Sequence, residues 1–249
     1  MRTLGLFIAL FIFAASTAFA ASDKKVTDLP AKGQVRYVIT KGESGTNALQ
    51  VGLSTHKWEH DGAHYKLHNL SETTGIAALI KSVKVPQISQ GEISAKGLRP
   101  NDFRHERVGT TDTARLDWKR NVVAYEGKEE AIVAGTQDML SMYYQLVLTA
   151  PISGSIDMPI ATGRKLETYR FRVLGEEKLS FKSGERRALR LTTKNGPDSI
   201  DVWLALDKTG AVLRTQGLPL KIRFIDRKGD IFDQLAEDVS PPAVPPESQ

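Results

Sequence analysis

The sequence predicts a mainly β (α+β) fold: a long antiparallel meander curled into a half-open barrel around one main helix. Three observations predict it. Apolar and polar residues alternate with period two through most of the chain. Turn dipeptides containing glycine separate the alternating runs at hairpin spacing. Only two short segments carry helical patterning, and a sheet that is dry on one face needs a helix or a second sheet to cover it. A closed barrel or sandwich is the competing arrangement.

Residues 1–20 read MRTLGLFIALFIFAASTAFA. Arg2 supplies a positive start, Leu4 to Ala15 an apolar core, and Ala18-Phe19-Ala20 a small-x-small site. This is the pattern of a secretory signal peptide with cleavage after Ala20, which predicts a periplasmic protein. The apolar core is shorter than the ~17–25 residues of a spanning helix, and no later segment could cross a bilayer. Removing residues 1–20 leaves 33 basic against 29 acidic side chains, net +4, and takes four of the nine phenylalanines. That charge is too mild to demand a nucleic-acid partner. The chain has no cysteine. Disulfide frameworks, thiolate metal sites and cysteine nucleophiles are therefore excluded. Residues 21–32 read as a flexible lead-in, 33–239 as a single β-rich domain, and 240–249 (SPPAVPPESQ) as a disordered Pro-rich tail.

Within the body, Val35, Tyr37 and Ile39 open the alternation, followed by Leu49, Val51 and Leu53. Later runs are Tyr169-Phe171-Val173, Leu189-Leu191-Thr193, Ile200-Val202-Leu204-Leu206 and Leu218-Leu220-Ile222-Phe224. One wet and one dry face per strand is the signature of antiparallel sheets. At ordinary strand lengths the pattern gives about ten to twelve strands. The helical segments are 75–83, with Thr73 or Thr74 as cap, and 136–149, with Thr136 as N-cap and Pro151 beyond the end. In the second, Met139, Tyr143, Leu146 and Val147 form an apolar stripe, and Asp138, Ser141 and Gln145 the opposite side.

Four histidines recur at every fourth residue: His56, His60, His64 and His68. On a helix they could hold a metal, but Asp61-Gly62 breaks the run. A two-residue hairpin there sets Trp58 against Tyr65 and splits the histidines between faces, so no metal site is predicted. Gly42-Glu43-Ser44-Gly45 lacks the last glycine of a nucleophile elbow. Glu129 and Glu130 would point to opposite faces of a strand, so they cannot work as a carboxylate pair. Asn69-Leu70-Ser71 fits a glycosylation sequon. Arg164, Lys165, Arg170 and Arg172, with Lys182, Arg186, Arg187 and Arg190, form basic clusters that interleaved glutamates offset. Trp118 shares the face of Leu116 and reads as core. Trp203 sits out of phase with Val202 and Leu204, so it is either covered locally or exposed for binding.

Three stretches carry a family resemblance: SQGEISAKGLRPNDFRHER (89–107), AGTQDMLSMYYQL (134–146) and DVWLALDKTGAVLRTQGLPLKIRF (201–224). The run Gly97, Leu98, Pro100, Phe103, the pair Asp138 and Ser141, and Trp203-Leu204 match best. Together they resemble the bacterial exported domain-of-unknown-function family 3108. The resemblance implies an exported β-rich protein with no established activity and no catalytic residues to carry over. In strand and helix order it is similar to periplasmic lipoprotein carriers, a likeness of fold alone.

The expected function is non-enzymatic, with no cofactor. An apolar concave face would bind a lipid-like or amphipathic envelope component, and Met139, Tyr143, Leu146, Val147 and Trp203 are the candidate ligand-binding residues. The alternative is a structural or protein-interaction module of the cell envelope with a filled core. A filled core and an open cavity produce the same period-two pattern.

Overall fold

Alternating residues become strands along nearly the whole chain. The computed structural model describes residues 29–45 and 48–237. Residues 1–20, read from the sequence as a signal segment, residues 21–28 of the expected lead-in and the Pro-rich residues 240–249 lie outside the described residues. In order, the elements are β1 (Lys32–Lys41), β2 (Leu49–His60), β3 (His64–Thr73), α1 (Gly75–Ile80), β4 (Lys84–Ser94), β5 (Gly97–Arg107), β6 (Thr110–Asp117), β7 (Val122–Tyr125), β8 (Lys128–Ala131) and β9 (Gln137–Asp138). Then follow α2 (Ser141–Thr149), β10 (Ser155–Ala161), β11 (Leu166–Phe181), β12 (Gly184–Asn195), β13 (Asp198–Ala205), β14 (Lys221–Ile225) and β15 (Ile231–Ala236). The count exceeds ten to twelve because β7, β8 and β9 have four, four and two residues, too few to show alternation.

All fifteen strands form one sheet, ordered β8-β7-β6-β5-β4-β3-β2-β1-β15-β14-β13-β12-β11-β10-β9. Neighbours are antiparallel except β9 and β10. The described strands therefore begin mid-sheet with β1, run out to the edge strand β8, and continue from the opposite edge, β9. Only five residues, 132–136, join those two edges, so the sheet has to curl until its edges approach. Side chains bridge the seam in place of a ladder. Arg164 Nε donates to Asp112 Oδ1 (2.6 Å), Leu166 N to Glu130 Oε2 (3.1 Å), and Gln137 Nε2 to the Leu98 carbonyl (2.8 Å). The result is the half-open barrel expected from the sequence.

The main helix differs from the predicted 136–149. Thr136 Oγ1 bonds to the Val133 carbonyl in a turn, and Gln137-Asp138 pairs with β10 as a strand. Asp138 takes over the capping: its Oδ1 accepts from Leu140 N and Ser141 N, both at 2.8 Å. The apolar stripe is also only half of the surface that α2 buries. Leu140, Tyr144 and Leu148 pack with Trp58, Leu67 and Phe103. Met142, Leu146 and Val147 pack with Phe171, Leu191 and Val202 on the other side of the barrel. Ser141 and Gln145, expected on a polar side, are buried as well. Gln145 is satisfied by backbone: its Oε1 accepts from Leu98 N (2.8 Å) and its Nε2 donates to the Lys96 carbonyl (2.9 Å). Gly97, between them, has φ +107°, and a Cβ there would collide with the Gln145 amide.

The other helix is shorter than 75–83. Residues 81–83 leave it, because Thr73 Oγ1 accepts from Val83 N and donates to the Lys81 carbonyl. The hairpin between β2 and β3 turns at Gly62-Ala63, one residue later than predicted, since Asp61 Oδ1 accepts from the amides of Ala63 and His64. Every cross-strand partner shifts by two: Trp58 faces Leu67, and Tyr65 faces His60. The expected Trp58–Tyr65 pair is absent, and Trp58 meets Tyr144 of α2 edge-on (6.0 Å, 72°). At the end of the predicted lead-in, Leu29 is buried and the Pro30 carbonyl accepts from Trp58 Nε1.

Gln145→Ala strips the buried Leu98 amide of its acceptor and is expected to cost at least about 2 kcal/mol in urea unfolding. Gly97→Ala is expected to cost more in the wild type than in the Gln145→Ala background, where the collision is relieved and only the strained φ remains. Additive costs would contradict this packing.

Candidate functional site

A helix of nine residues cannot fill a barrel made of strands of up to sixteen. Beyond the end of α2 that carries Met139 and Tyr143, the interior stays open as a cavity of about 790 Å³. Its floor is apolar, Met139 and Tyr143 with Ile200 and Ile222 from β13 and β14, and Phe224 and Phe232 stand nearer the mouth at the ends of β14 and β15. Polar side chains, Gln87, Thr193, Asn195 and Gln234, ring the middle. His105, Arg107, Arg164 and Lys165 stand at the mouth. Arg107 and Arg164 share the buried carboxylate of Asp112 at 3.1 and 2.6 Å, and Lys165 pairs with Glu167 at 2.6 Å. Thr193 Oγ1 and Gln234 Oε1 are buried on the cavity wall with no protein partner. Buried polar atoms are normally satisfied, so these two mark where a bound molecule's polar groups or water would sit.

A polar ladder leads to this cavity through the inner face of the sheet. Ser71 Oγ donates to Ser54 Oγ (3.0 Å), Ser54 Oγ to Asn69 Oδ1 (2.7 Å), and Asn69 Nδ2 to Gln87 Oε1 (3.0 Å). Asn69 is buried, so the sequon does not present it for glycosylation. His56 stands beside the ladder, edge-on to Tyr37 (5.3 Å, 69°). Burial pushes its imidazole down to about 3, with a smaller contribution from His68. Deeper in, Ser89 Oγ donates to Asp138 Oδ2 at 2.6 Å. Burial raises the Asp138 carboxyl to about 6 although hydrogen bonds from Ser89, Leu140 and Ser141 favour its anion.

The five candidate ligand-binding residues separate. Met139 and Tyr143 line the cavity. Leu146 and Val147 are sealed in the core between α2 and the sheet. Trp203 is buried on the opposite face of β13, under cations rather than a helix or tail. The Arg190 guanidinium and Lys221 Nζ each lie 4.8 Å from its ring, Arg223 lies at 5.6 Å, and its Nε1 donates to Glu177 Oε2. Asp233 binds Lys221 (2.8 Å) and Arg223 (2.7 Å), and accepts from Ser44 N and Oγ. Ser44 thus fastens the loop after β1 to this cluster. Among the described residues no group of three histidine and carboxylate side chains could hold a metal ion. Sequence reading missed Arg107, Thr193 and Gln234. One signal was present: Phe103, His105 and Arg107 share parity, so the dry face of β5 turns polar before the strand ends.

A family model described as protein of unknown function (DUF3108) matches residues 34–235. The chain belongs to this family. No curated protein matches it. Among solved structures it is similar to a β-barrel-like protein of domain of unknown function DUF1849 from Brucella abortus, at 12% identity and TM-score 0.47, covering 84% of this chain and 96% of that one. In this DUF3108 member the motif residues meet: Gly97-Leu98 receives Gln145 and Gln137, while Asp138 and Ser141 start the helix that carries Gln145.

The two buried titrating groups act in opposite directions. His56 is depressed, so the unfolded chain binds more protons and stability falls as pH drops below 6.5. Asp138 is raised, so the folded chain binds more protons and stability rises as pH drops through about 6. Between about pH 7 and 5, Asp138→Asn is expected to lose about 1 kcal/mol more stability than wild type, and His56→Leu about 2 kcal/mol less. Urea midpoints across that window test both signs.

Proposed function

We propose that this protein is an exported, non-enzymatic component of the cell envelope that holds one amphipathic, lipid-like molecule with an anionic head. The single observation that carries the reading is the cavity beyond α2: an apolar floor, orphaned Thr193 and Gln234 atoms on its wall, and Arg107 and Arg164 at its mouth. An acyl or aromatic body would lie against Tyr143, Ile222 and Phe224, and the head would meet the guanidinium groups. Its volume is that of pockets that take small amphiphiles. The non-enzymatic reading is supported by the residues nearest to catalytic patterns, which are tied into the framework. Ser44 is held by Asp233, Glu129 by Arg120, and Glu130 by Lys128 and the Leu166 amide. The secretory pattern of residues 1–20 supports export. The alternative, an envelope interaction module with a filled core, is favoured only where α2 seals Leu146 and Val147 into the sheet.

The anionic amphiphilic dye 8-anilinonaphthalene-1-sulfonate serves as probe. Wild type is expected to bind it saturably at one site. Arg164→Gln with Lys165→Gln is expected to weaken that site about tenfold, or about 1.4 kcal/mol, and to lower the thermal midpoint as the buried Asp112 loses one partner. Lys165→Gln alone is expected to weaken the site with the midpoint held. Protein purified from its native envelope is expected to yield an amphiphile on solvent extraction. Absence of both saturable dye binding and any extractable amphiphile would overturn the reading.

A further inference from the structure

The mouth of the cavity lies on a rim that differs from the rest of the molecule. The connections on this rim include α1 between β3 and β4, Val108-Gly109 between β5 and β6, and residues 226–230 between β14 and β15. They share the mouth's rim because Gln87, Arg107, Phe224 and Phe232, which line it, lie at the ends of these strands. No residue of α1 is buried. Ile76, Leu79 and Ile80 are 69%, 87% and 83% exposed, and Val108 on the neighbouring connection is 66% exposed. A short helix that offers three large aliphatic side chains to water is unusual, because apolar surface normally finds a cover.

The charges around it point to the cover. Lys81, directly after α1, and Arg227 and Lys228 on the same rim have no ion-pair partner among the described residues. Arg172 and Lys194, on the outer face beside the 226–230 turn, are likewise unpaired. The rim's carboxylates are largely engaged: Glu72 with Lys84, Asp230 with Lys41, and Asp112 with two arginines. Asp226 Oδ1 accepts from two backbone amides. Asp198, Asp226 and Glu126 are the carboxylates at this end without an ion-pair partner among the described residues, against the five cations. Aliphatic side chains at a projecting tip with free cations around them match an anionic bilayer surface. The aliphatic groups enter below the headgroups and the cations meet phosphates.

We propose that this rim docks on an anionic membrane, with Ile76, Leu79, Ile80 and Val108 in the interface and Lys81, Arg227 and Lys228 on the headgroups. The cavity mouth then faces the bilayer, from which an amphiphile would enter or to which it would leave. That last step rests on the function proposed above; the docking does not.

The test is cosedimentation with vesicles of phosphatidylcholine containing about one third phosphatidylglycerol, compared with pure phosphatidylcholine. Full-length protein and variants share the same N-terminus, so residues 1–20 contribute equally to each. Wild type is expected to prefer the anionic vesicles. Ile76→Ser/Leu79→Ser/Ile80→Ser is expected to bind them at least about tenfold more weakly, with thermal midpoint and dye binding unchanged. Arg227→Gln/Lys228→Gln is expected to lose the preference for phosphatidylglycerol. Equal vesicle binding by wild type and the triple variant would overturn the proposal, as would a wild type that ignores vesicles. A wild-type dimer that the triple variant dissociates, with no vesicle binding, would assign the patch to a second copy and also overturn it. Vesicle binding that persists while the cavity holds no amphiphile would sink the function above and leave the docking standing.

Discussion

A helix buried on every side is the constraint on which the rest of this molecule depends. α2 turns Leu140, Tyr144 and Leu148 toward one arc of the sheet, and Met142, Leu146 and Val147 toward the other. A flat sheet covers one side of a helix and leaves the other wet. Six large side chains, each worth about 1.5–3 kcal/mol when fully buried, favour a sheet that curls around them. The order of the strands permits it, because the two sheet edges are consecutive in the chain and only five residues separate them.

Burial of α2 brings polar obligations, and these locate it along the barrel. Gln145 bonds to the backbone of Lys96 and Leu98, Asp138 receives Ser89, and Gln137 reaches the Leu98 carbonyl. All three tie α2 or its leading strand to β4 and β5. Length then makes the cavity. Nine helical residues span about 14 Å, while a twelve-residue strand spans about 40 Å. One helix fixed near one end cannot fill that interior. What it leaves becomes apolar near Tyr143 and Ile222 and polar toward Arg107 and Arg164, because the inner faces of the strands turn polar where they approach water.

Much of this was legible from alternation alone. The period-two runs gave antiparallel strands and a dry inner face, and the helix near residue 140 followed from its apolar residues and Pro151. The errors have local physical causes. Thr136 looked like the cap, but pairing of Gln137-Asp138 with β10 delayed the helix and passed the capping to Asp138. The histidine hairpin slipped because Asp61 bonds forward to Ala63 and His64, which moves the turn to Gly62-Ala63. Trp203 seemed to need a helix or tail, whereas three cations and Glu177 cover it. These cations come from β12 and β14, so no local pattern announced them. The cavity was the least legible feature. Arg107, Thr193 and Gln234 meet only because the sheet curls, and curling is set by strand order rather than by any one segment.

Native-state hydrogen exchange tests most directly whether α2 couples the two arcs. The account predicts that slow amides of α2, of β2–β4 and of β11–β13 open with one common free energy, equal to that of global unfolding. An α2 that exchanges well before either arc, or arcs that open independently of each other, would contradict it.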